Sequence, residues 1–271
     1  MLFFTALINL RARLKPMLPP WGHKALRMLW HNIALPPLRL ASRAWRLPGT
    51  PPASPPGYLL AQYALVSLEE FVTDGEDKLE IVRRVLDDSG VALPEAPRIL
   101  DFGCGLGSTL LAFQRNLPSA SCYGCDVKND AIRWLASNHD ELTVTRNNPL
   151  PPLPDEFSGF DFIYAISVWT HMPEASCSAW IAHMHSRLNP RGGLFFTFVE
   201  PSTDLVLRYG FDPNTHPTTV QANSGCLFDP ATDMTFIQKE WVERQAEGKF
   251  EVRYLGPTDY AQWGALLQRP A

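Results

Sequence analysis

The segment RILDFGCGLGSTLL, residues 98–111, constrains the fold of this chain more than any other part of its sequence. A short apolar run ends at Asp101, three glycines follow at alternate positions, and an apolar helical pattern begins directly afterwards. Glycine has no Cβ, so Gly103, Gly105 and Gly107 leave a turn whose backbone amides a ligand can approach closely. The segment therefore predicts a buried strand, a ligand-binding turn and a helix in succession.

Apolar strand patterns alternate with helical patterns from residue 58 to the end of the chain. The further predicted strands are SCYGCDV, LTVTRN, FDFIYAISV, LFFTFVE, FEVRYLG and AQWGALLQR. This alternation indicates an α/β fold with a doubly wound, mostly parallel sheet. In such a sheet ligands bind beyond the carboxyl ends of the strands, where the glycine turn lies. Residues 201–236 are rich in Pro, Asn, Thr and Asp, and we expect an irregular insertion there.

The first part of the chain differs in charge and composition from the rest. Residues 1–68 carry eight Lys and Arg and no acidic residue, which leaves 16 basic against 28 acidic side chains in the remainder, a net charge of −12. Ten of the 25 prolines lie in the first 57 residues, and LPGTPPASPPG (47–57) indicates a stiff linker. We therefore divide the chain into a basic, Pro-rich N-terminal extension, residues 1–57, and a domain, residues 58–271.

An amphipathic helix is predicted within the extension, at residues 23–35. Leu26, Leu29, Trp30 and Ile33 share one face, and Lys24, Arg27 and His31 lie together on another. Basic helices that contain Trp are typical of peptides on anionic membranes, so residues 1–46 are predicted to contact such a surface. The alternative is a helix packed on the domain or on another subunit.

The apolar start of the chain is too short to span a bilayer and lacks the basic region of a secretory signal. An organellar transit peptide is a further alternative, because the start is rich in Arg and free of acid. We expect a cytoplasmic protein, either free or peripheral at the inner face of a membrane.

The cysteines and histidines do not predict a metal site. Five cysteines without regular spacing indicate free thiols in a reducing compartment. Cys122 and Cys125 lie in a predicted strand, where residues three apart point to opposite faces, so we expect core cysteines rather than a metal or redox pair. His183 and His185 are two apart on a predicted helix and do not share a face.

The glycine turn differs from the dinucleotide-binding pattern G-x-G-x-x-G, because Ser108 stands in place of its third glycine. The pattern D-x-G-x-G-x-G instead resembles motif I of the class I S-adenosylmethionine-dependent methyltransferases. The resemblance continues through NNPLPPLPDEFSGFDFIYAISVWTHM and the turn LNPRGG, and it covers about residues 70–200. It implies a Rossmann-like sheet of seven strands in the order 3-2-1-4-5-7-6, with the last strand antiparallel, and S-adenosylmethionine as the cofactor.

The resemblance also implies the residues that contact the cofactor. The glycine loop would hold its amino acid part, with Asp101 near the ammonium group, and Asp126 would accept hydrogen bonds from the two ribose hydroxyls. The alternative for Asp126 is a surface residue that caps the next helix. Asn147 or Asn148 would read the adenine edge. The complete predicted set is Asp101, Gly103, Cys104, Gly105, Gly107, Asp126, Val127, Asn147, Asn148, Ala165 and Ile166.

The methyl acceptor is constrained mainly by the segment SVWTHM after the fourth strand. His171 is the candidate base, because histidine accepts protons near neutral pH; alternatively Thr170 caps the helix and His171 only shapes the loop. The insertion 201–236 is expected to cover the acceptor. The motif [N/D]-P-P-[Y/F] of nucleobase and glutamine methyltransferases does not follow this strand, and no compact carboxylate cluster suggests a metal-dependent site.

We therefore expect methyl transfer to an oxygen or nitrogen of a small molecule, a sugar, or a lipid-linked or glycan intermediate. One alternative is a non-catalytic methyltransferase-like binding or scaffold protein, although Asp101, the glycines and Asp126 are all in place. Another is nucleic-acid methylation guided by the basic extension. The domain's net charge of −12 would repel phosphates, so a nucleic-acid partner is not favoured.

Overall fold

A computed structural model of the chain describes residues 54–63, 65, 67–201, 219–222, 234–260 and 262–271. The amphipathic pattern at 23–35 and most of the insertion 201–236 lie outside the described residues. The helices are α1 (Gly57–Gln62), α2 (Leu68–Ser89), α3 (Ser108–Asn116), α4 (Asn129–Asn138), α5 (Glu174–Arg187) and α6 (Lys239–Ala246). The strands are β1 (Arg98–Phe102), β2 (Ser121–Asp126), β3 (Thr143–Arg146), β4 (Phe160–Ala165), β5 (Leu188–Phe198), β6 (Thr219–Ala222), β7 (Met234–Ile237), β8 (Glu251–Pro257) and β9 (Trp263–Gln268).

Seven of these strands form one sheet in the order β3-β2-β1-β4-β5-β9-β8. The pairs from β3 to β5 are parallel, and β9 runs antiparallel to both of its neighbours. Because β8 and β9 are the sixth and seventh strands of this sheet, the predicted order 3-2-1-4-5-7-6 with an antiparallel last strand is confirmed. The carboxyl ends of β1, β2, β4 and β5 therefore lie along one edge of the sheet.

Both faces of the sheet are covered by helices. Ile99 of β1 packs in a core with residues of α2, α3 and α4, whereas Leu100 and Phe102 pack in a second core with residues of α5 and α6. A strand that is buried on both faces needs apolar residues at consecutive positions, which Ile99 and Leu100 provide. The predicted doubly wound fold is confirmed.

Helix α2 packs closely against the beginning of α3. It begins after Ser67, whose side chain accepts a hydrogen bond from the backbone N–H of Glu70 at 3.0 Å, and it ends at Gly90 with φ 65°. A Cβ at Gly75 would lie 2.2 Å from the carbonyl oxygen of Ser108, so only glycine permits this approach. The contact holds the first turn of α3 in place directly after the glycine turn.

Two predictions about the second half of the chain are wrong in part. The insertion 201–236 is not irregular throughout, because β6 and β7 form an antiparallel two-stranded sheet. Strand β5 begins at Leu188 rather than near Leu194, so the predicted turn NPRGG belongs to the strand. Backbone pairing explains this difference: the N–H of Arg191 donates to the carbonyl of Arg269, far along the chain.

The cysteines of the described residues are free and buried, namely Cys104, Cys122, Cys125 and Cys177. Cys122 packs in the core on the α2 side and Cys125 in the core on the α5 side, which confirms that they point to opposite faces. Burial raises the pKa of the Cys122 thiol to about 12. Within the part of the chain that the structure describes, no helix is long and apolar enough to cross a membrane.

Candidate functional site

The glycine turn adopts a backbone conformation that side chains rarely permit. Gly103, Gly105 and Gly107 have φ angles of 79°, 54° and 74°. The backbone N–H groups of Gly103 and Cys104 donate to the carbonyl of Cys125 at 2.8 and 3.0 Å, so the turn is fastened to the end of β2. The three predicted glycines are thus brought to the carboxyl edge of the sheet as a rigid concave backbone.

Three side chains, Val168, Tyr63 and Leu135, approach the glycine turn so closely that a Cβ would collide with them. A Cβ on Gly103 would lie 2.4 Å from Cγ2 of Val168, and one on Gly105 would lie 2.6 Å from Cε1 of Tyr63. The Nζ atom of Lys128 lies 4.9 Å from the centre of the Tyr63 ring. Tyr63, directly after α1, therefore lies against the glycine turn, and the sequence patterns did not predict this contact.

Asp126 holds the turn and the start of α4 together. Its Oδ2 accepts a hydrogen bond from the N–H of Gly105 at 2.8 Å, and its Oδ1 accepts one from the N–H of Lys128 at 2.7 Å. The side chain is only 8% exposed, and burial raises its pKa, which these two hydrogen bonds counteract. Each carboxylate oxygen can accept a further hydrogen bond, so the group remains able to bind a pair of hydroxyls.

Asp101 is the second buried carboxylate of the site. It is the penultimate residue of β1 and is 5% exposed, and its Oδ2 accepts a hydrogen bond from the Tyr164 hydroxyl at 3.0 Å. Burial raises the pKa of Asp101 to about 7; the Tyr164 hydrogen bond and the Lys78 charge lower it, and the Asp126 charge raises it. Two carboxylates that are both costly to ionise favour a cationic ligand group nearby.

The structure separates the two asparagines that follow β3. Asn147 is 6% exposed, and its Nδ2 donates to the carbonyl of Asn148 at 2.8 Å. Its Oδ1 is buried and has no hydrogen-bond partner among the described residues. Asn148 is exposed. A buried acceptor without a donor is costly, so Asn147 is the better candidate for contact with a ligand amino group.

The remaining predicted cofactor residues divide into exposed and buried side chains. Val127 is 45% exposed although it is apolar, and Ile166 is half-buried beyond β4. Cys104 and Ala165 are buried in the two cores, so only their backbone is available to a ligand. Val127 therefore offers an apolar surface next to Asp126 that a flat ring would cover.

His171 lies in a single 3₁₀ turn, Trp169–His171, between β4 and α5, and its side chain is exposed. Thr170 is buried, and its hydroxyl donates to the carbonyl of Ser167 at 3.2 Å. It therefore does not cap α5, whose cap position is Pro173. The catalytic role of His171 stays a prediction.

Three polar residues at this edge were missed by the sequence patterns: Ser167, Thr197 and Gln262. The N–H of Ser167 donates to Oγ1 of Thr197 at 2.8 Å, and Oγ of Ser167 accepts from Nε2 of Gln262 at 3.0 Å. Each is a single polar residue beside an apolar run, which is not a motif on its own. Within the described residues, no group of three or more His, Cys, Asp or Glu side chains is placed to hold a metal ion.

Comparisons with known proteins agree with this geometry. Residues 74–247 match a family model described as a methyltransferase domain. No curated protein matches the chain.

The solved structures that share the fold include the following three. One is a SAM-dependent methyltransferase from Methanosarcina mazei, 20% identical, with a TM-score of 0.51 over 66% of this chain and 94% of that one. The second is magnesium protoporphyrin IX methyltransferase from Synechocystis PCC 6803 with bound SAH, 14% identical, with a TM-score of 0.53 over 91% and 99%. The third is a protein from Pyrococcus horikoshii OT3, 18% identical, with a TM-score of 0.52 over 72% and 91%.

Proposed function

The chain belongs to the methyltransferase-domain family, and from this premise we propose that it methylates an oxygen or nitrogen of a small molecule, a sugar, or a lipid-linked or glycan intermediate. It is an S-adenosylmethionine-dependent methyltransferase, and the acceptor class is our proposal. The observation that supports the cofactor is the pair of hydrogen bonds that Asp126 accepts from the N–H groups of Gly105 and Lys128. They place a carboxylate against the glycine turn at the carboxyl edge of the sheet.

The residues at this edge fit S-adenosylmethionine part by part. The unpartnered Oδ1 of Asn147 suits the adenine amino group, and the exposed side chain of Val127 suits the face of the ring. Asp126 suits the two ribose hydroxyls. The backbone of the glycine turn, beside the side chains of Tyr63 and Val168, suits the amino acid part, and the carboxylate of Asp101 suits its ammonium group.

The chain's own contribution to the reaction is positioning and proton transfer. When bound, S-adenosylmethionine supplies an electrophilic methyl group on sulfur. The glycine turn and Asp126 hold one reactant in a fixed orientation, which removes much of the entropic cost of bringing two molecules together. An acceptor hydroxyl or amine must also lose a proton, and we assign its acceptance to an imidazole nitrogen of His171.

The insertion supports an acceptor site next to His171. The Thr235 hydroxyl, on β7, donates to the carbonyl of Met172 at 2.7 Å, directly beside the 3₁₀ turn. The N–H of Ile237 donates to the carbonyl of Val199 just past β5. The described end of the insertion is therefore anchored between β5 and the turn that carries His171, as an acceptor cover would be.

The proposal is tested first by calorimetric titration of the full chain with S-adenosylhomocysteine. We expect binding with one site per chain, and a folded protein that binds neither this compound nor S-adenosylmethionine would contradict the cofactor. A labelled-methyl screen against fractionated small molecules, glycans and lipids then identifies the acceptor. Label that enters only nucleic acid would contradict the proposed acceptor class.

The location of the protein is a separate part of the proposal. We propose that residues 1–46 hold it at the inner face of an anionic membrane, supported by the basic, acid-free composition of that segment. Flotation with vesicles of phosphatidylglycerol and phosphatidylcholine tests this. We expect the full chain to float, and the triple variant Arg39→Glu, Arg43→Glu, Arg46→Glu to float less. Equal flotation, or none by either protein, would contradict it.

A further inference from the structure

Ser167 has an unusual backbone conformation at the carboxyl end of β4. Its φ is 59°, and within the described residues only one other non-glycine residue, Arg191, has a positive φ. Such a conformation is strained for a residue with a Cβ and persists only where its surroundings hold it. Here the N–H of Ser167 donates to the fully buried hydroxyl of Thr197 on β5. Backbone strain of this kind is concentrated at functional sites.

Gln262 is held in place at both its backbone and its side chain. Its carbonyl accepts hydrogen bonds from the N–H and the hydroxyl of Thr258 at 2.8 and 2.7 Å. Its Nε2 donates to Oγ of Ser167 at 3.0 Å, across a separation of 95 residues. Its Oε1 is buried and has no hydrogen-bond partner in the described part of the chain. Ser167 thus holds the side-chain amide of Gln262, whose Oε1 has no hydrogen-bond partner among the described residues.

The position of this acceptor atom along the sheet edge indicates what it faces. The candidate cofactor contacts follow β3, β2 and β1 in turn, at Asn147, Asp126 and the glycine turn. Ser167 follows β4, and Gln262 directly precedes Trp263, which pairs with Phe198 at the end of β5. These two residues therefore lie on the β5 side of β4, away from the residues that we propose for adenine and ribose, and we place the methyl acceptor on this side.

We propose that Gln262 contacts the methyl acceptor and that its Oε1 accepts a hydrogen bond from an O–H or N–H at, or next to, the atom that is methylated. This inference rests on the proposed function and restricts the class of methyl acceptor. An amide oxygen attracts alcohols, phenols and amines, which are hydrogen-bond donors, and it repels an ionised carboxylate, which only accepts. The acceptor is therefore a hydroxyl or amine compound, and methyl-ester formation on a carboxylate is disfavoured.

Two known ligands test the proposal before the acceptor is identified. S-adenosylhomocysteine has no group at the position of the transferred methyl, whereas sinefungin carries an amine there. Calorimetric titration of the full chain should show that Gln262→Leu weakens sinefungin about tenfold, since a hydrogen bond to a charged group is lost, and changes S-adenosylhomocysteine by less than about twofold. Gln262→Glu retains an acceptor oxygen and should bind sinefungin at least as tightly as the unmodified protein.

Gln114→Leu is the matched control. The Oε1 of Gln114 is also buried without a hydrogen-bond partner, but this residue lies on α3, six positions after the helix begins at the sheet edge. Its substitution should leave both affinities unchanged. Circular dichroism and thermal unfolding would confirm that each variant is folded.

The possible results are distinct. Equal weakening of both ligands by Gln262→Leu, no weakening of either, or loss of sinefungin affinity in Gln262→Glu would each overturn the role of Gln262. An effect of Gln114→Leu as large as that of Gln262→Leu would also overturn it. If the unmodified protein binds neither ligand, the proposed function itself has failed.

Discussion

The two halves of the site are assembled in different ways. The half beyond β1, β2 and β3, here called the donor half, combines Asp101, the glycine turn, Asp126 and Asn147, all within about fifty residues of one another. The half beyond β4 and β5, here called the acceptor half, combines Ser167, Thr197 and Gln262, and its longest hydrogen bond joins residues 95 apart. The donor half is an arrangement of neighbouring loops, whereas the acceptor half exists only because β9 returns antiparallel to β5.

This difference shows which part of the site is free to vary. A glycine turn and a carboxylate suit a ligand that does not change, and their geometry follows from local backbone conformation. The acceptor half depends on side chains from separate segments, so its chemistry can change without disturbing the cofactor contacts. The five predictions below test whether the halves are as independent as this arrangement implies.

The largest effect is expected from Asp126→Ala in the donor half. The substitution removes the acceptor of the Gly105 and Lys128 amides as well as the carboxylate that we propose binds the ribose hydroxyls. We expect the affinity for S-adenosylhomocysteine to fall by at least about 100-fold, because hydrogen bonds to a charged group are lost. Titration calorimetry measures this, with Asp130→Ala, an exposed acid at the start of α4, as the control. Similar affinities in Asp126→Ala and Asp130→Ala would contradict the assignment of Asp126 to the cofactor site.

The next effect is a pH dependence that arises from Asp101. The groups that face it are Lys78, Cys104, Asp126 and Tyr164. With a pKa of about 7, Asp101 loses its charge as the pH falls, and it is the charged form that attracts an ammonium group. We expect the affinity for S-adenosylhomocysteine to fall by up to about tenfold for each pH unit below 7. Asp101→Asn should bind more weakly at pH 8 and depend less on pH; identical pH profiles would contradict the assignment.

The same group gives a stability prediction with a definite sign. Because the pKa of Asp101 is raised from 3.8 to about 7, the folded state retains a proton that the unfolded state has released between these pH values. The free energy of unfolding from this group therefore falls as the pH rises from about 4 to 7, by at most about 1.4 kcal/mol per pH unit. Denaturant unfolding of Asp101→Asn should lack this fall. A variant with the same slope as the unmodified protein would show that Asp101 is not the responsible group.

A smaller effect is expected at the asparagines, where the structure separates two residues that the sequence leaves equivalent. Asn147→Leu removes the unpartnered Oδ1 and should weaken S-adenosylhomocysteine binding about tenfold, because a hydrogen bond of about 1 kcal/mol is lost and the pocket becomes less polar. Asn148→Leu is the matched control and should change the affinity by less than about twofold, since its side chain is exposed. A larger loss of affinity in Asn148→Leu than in Asn147→Leu would assign the ligand contact to Asn148.

The smallest effects are expected at Ser167 in the acceptor half. Ser167→Gly and Ser167→Ala both remove the hydroxyl that holds Gln262, but only glycine relieves the strain at φ 59°. The glycine variant should therefore be about 1 kcal/mol more stable than the alanine variant in denaturant unfolding. Both should leave S-adenosylhomocysteine binding unchanged within about twofold, as independent halves require. A large loss in either variant would show that the halves are coupled.

The location of the glycine turn and the buried cysteines were predicted from sequence because each depends on a local pattern, whereas the strand order was predicted from the resemblance to the methyltransferase family. The sequence patterns did not predict strands that depend on backbone pairing between distant segments. Strands β6 and β7 pair with each other, and Phe236 of β7 also pairs with Val199, beyond β5. Strand β5 extends back to Leu188 because Leu188 pairs with Phe160 of β4 and Arg191 bonds to Arg269 near the end of the chain. No sequence pattern predicted that Tyr63 packs against Gly105.

The amino-acid sequence predicted the fold class, and its resemblance to a known family predicted the residues of the donor half. Buried strands need consecutive apolar residues, and a ligand-binding turn needs glycine and a carboxylate at set distances along one chain, so both are visible in the order of residues. The folded structure was needed to show that Asn147 rather than Asn148 has a buried, unpaired oxygen, and that Ser167 contacts Gln262. Burial and hydrogen bonding between distant segments are properties of packing, and a linear pattern does not contain them.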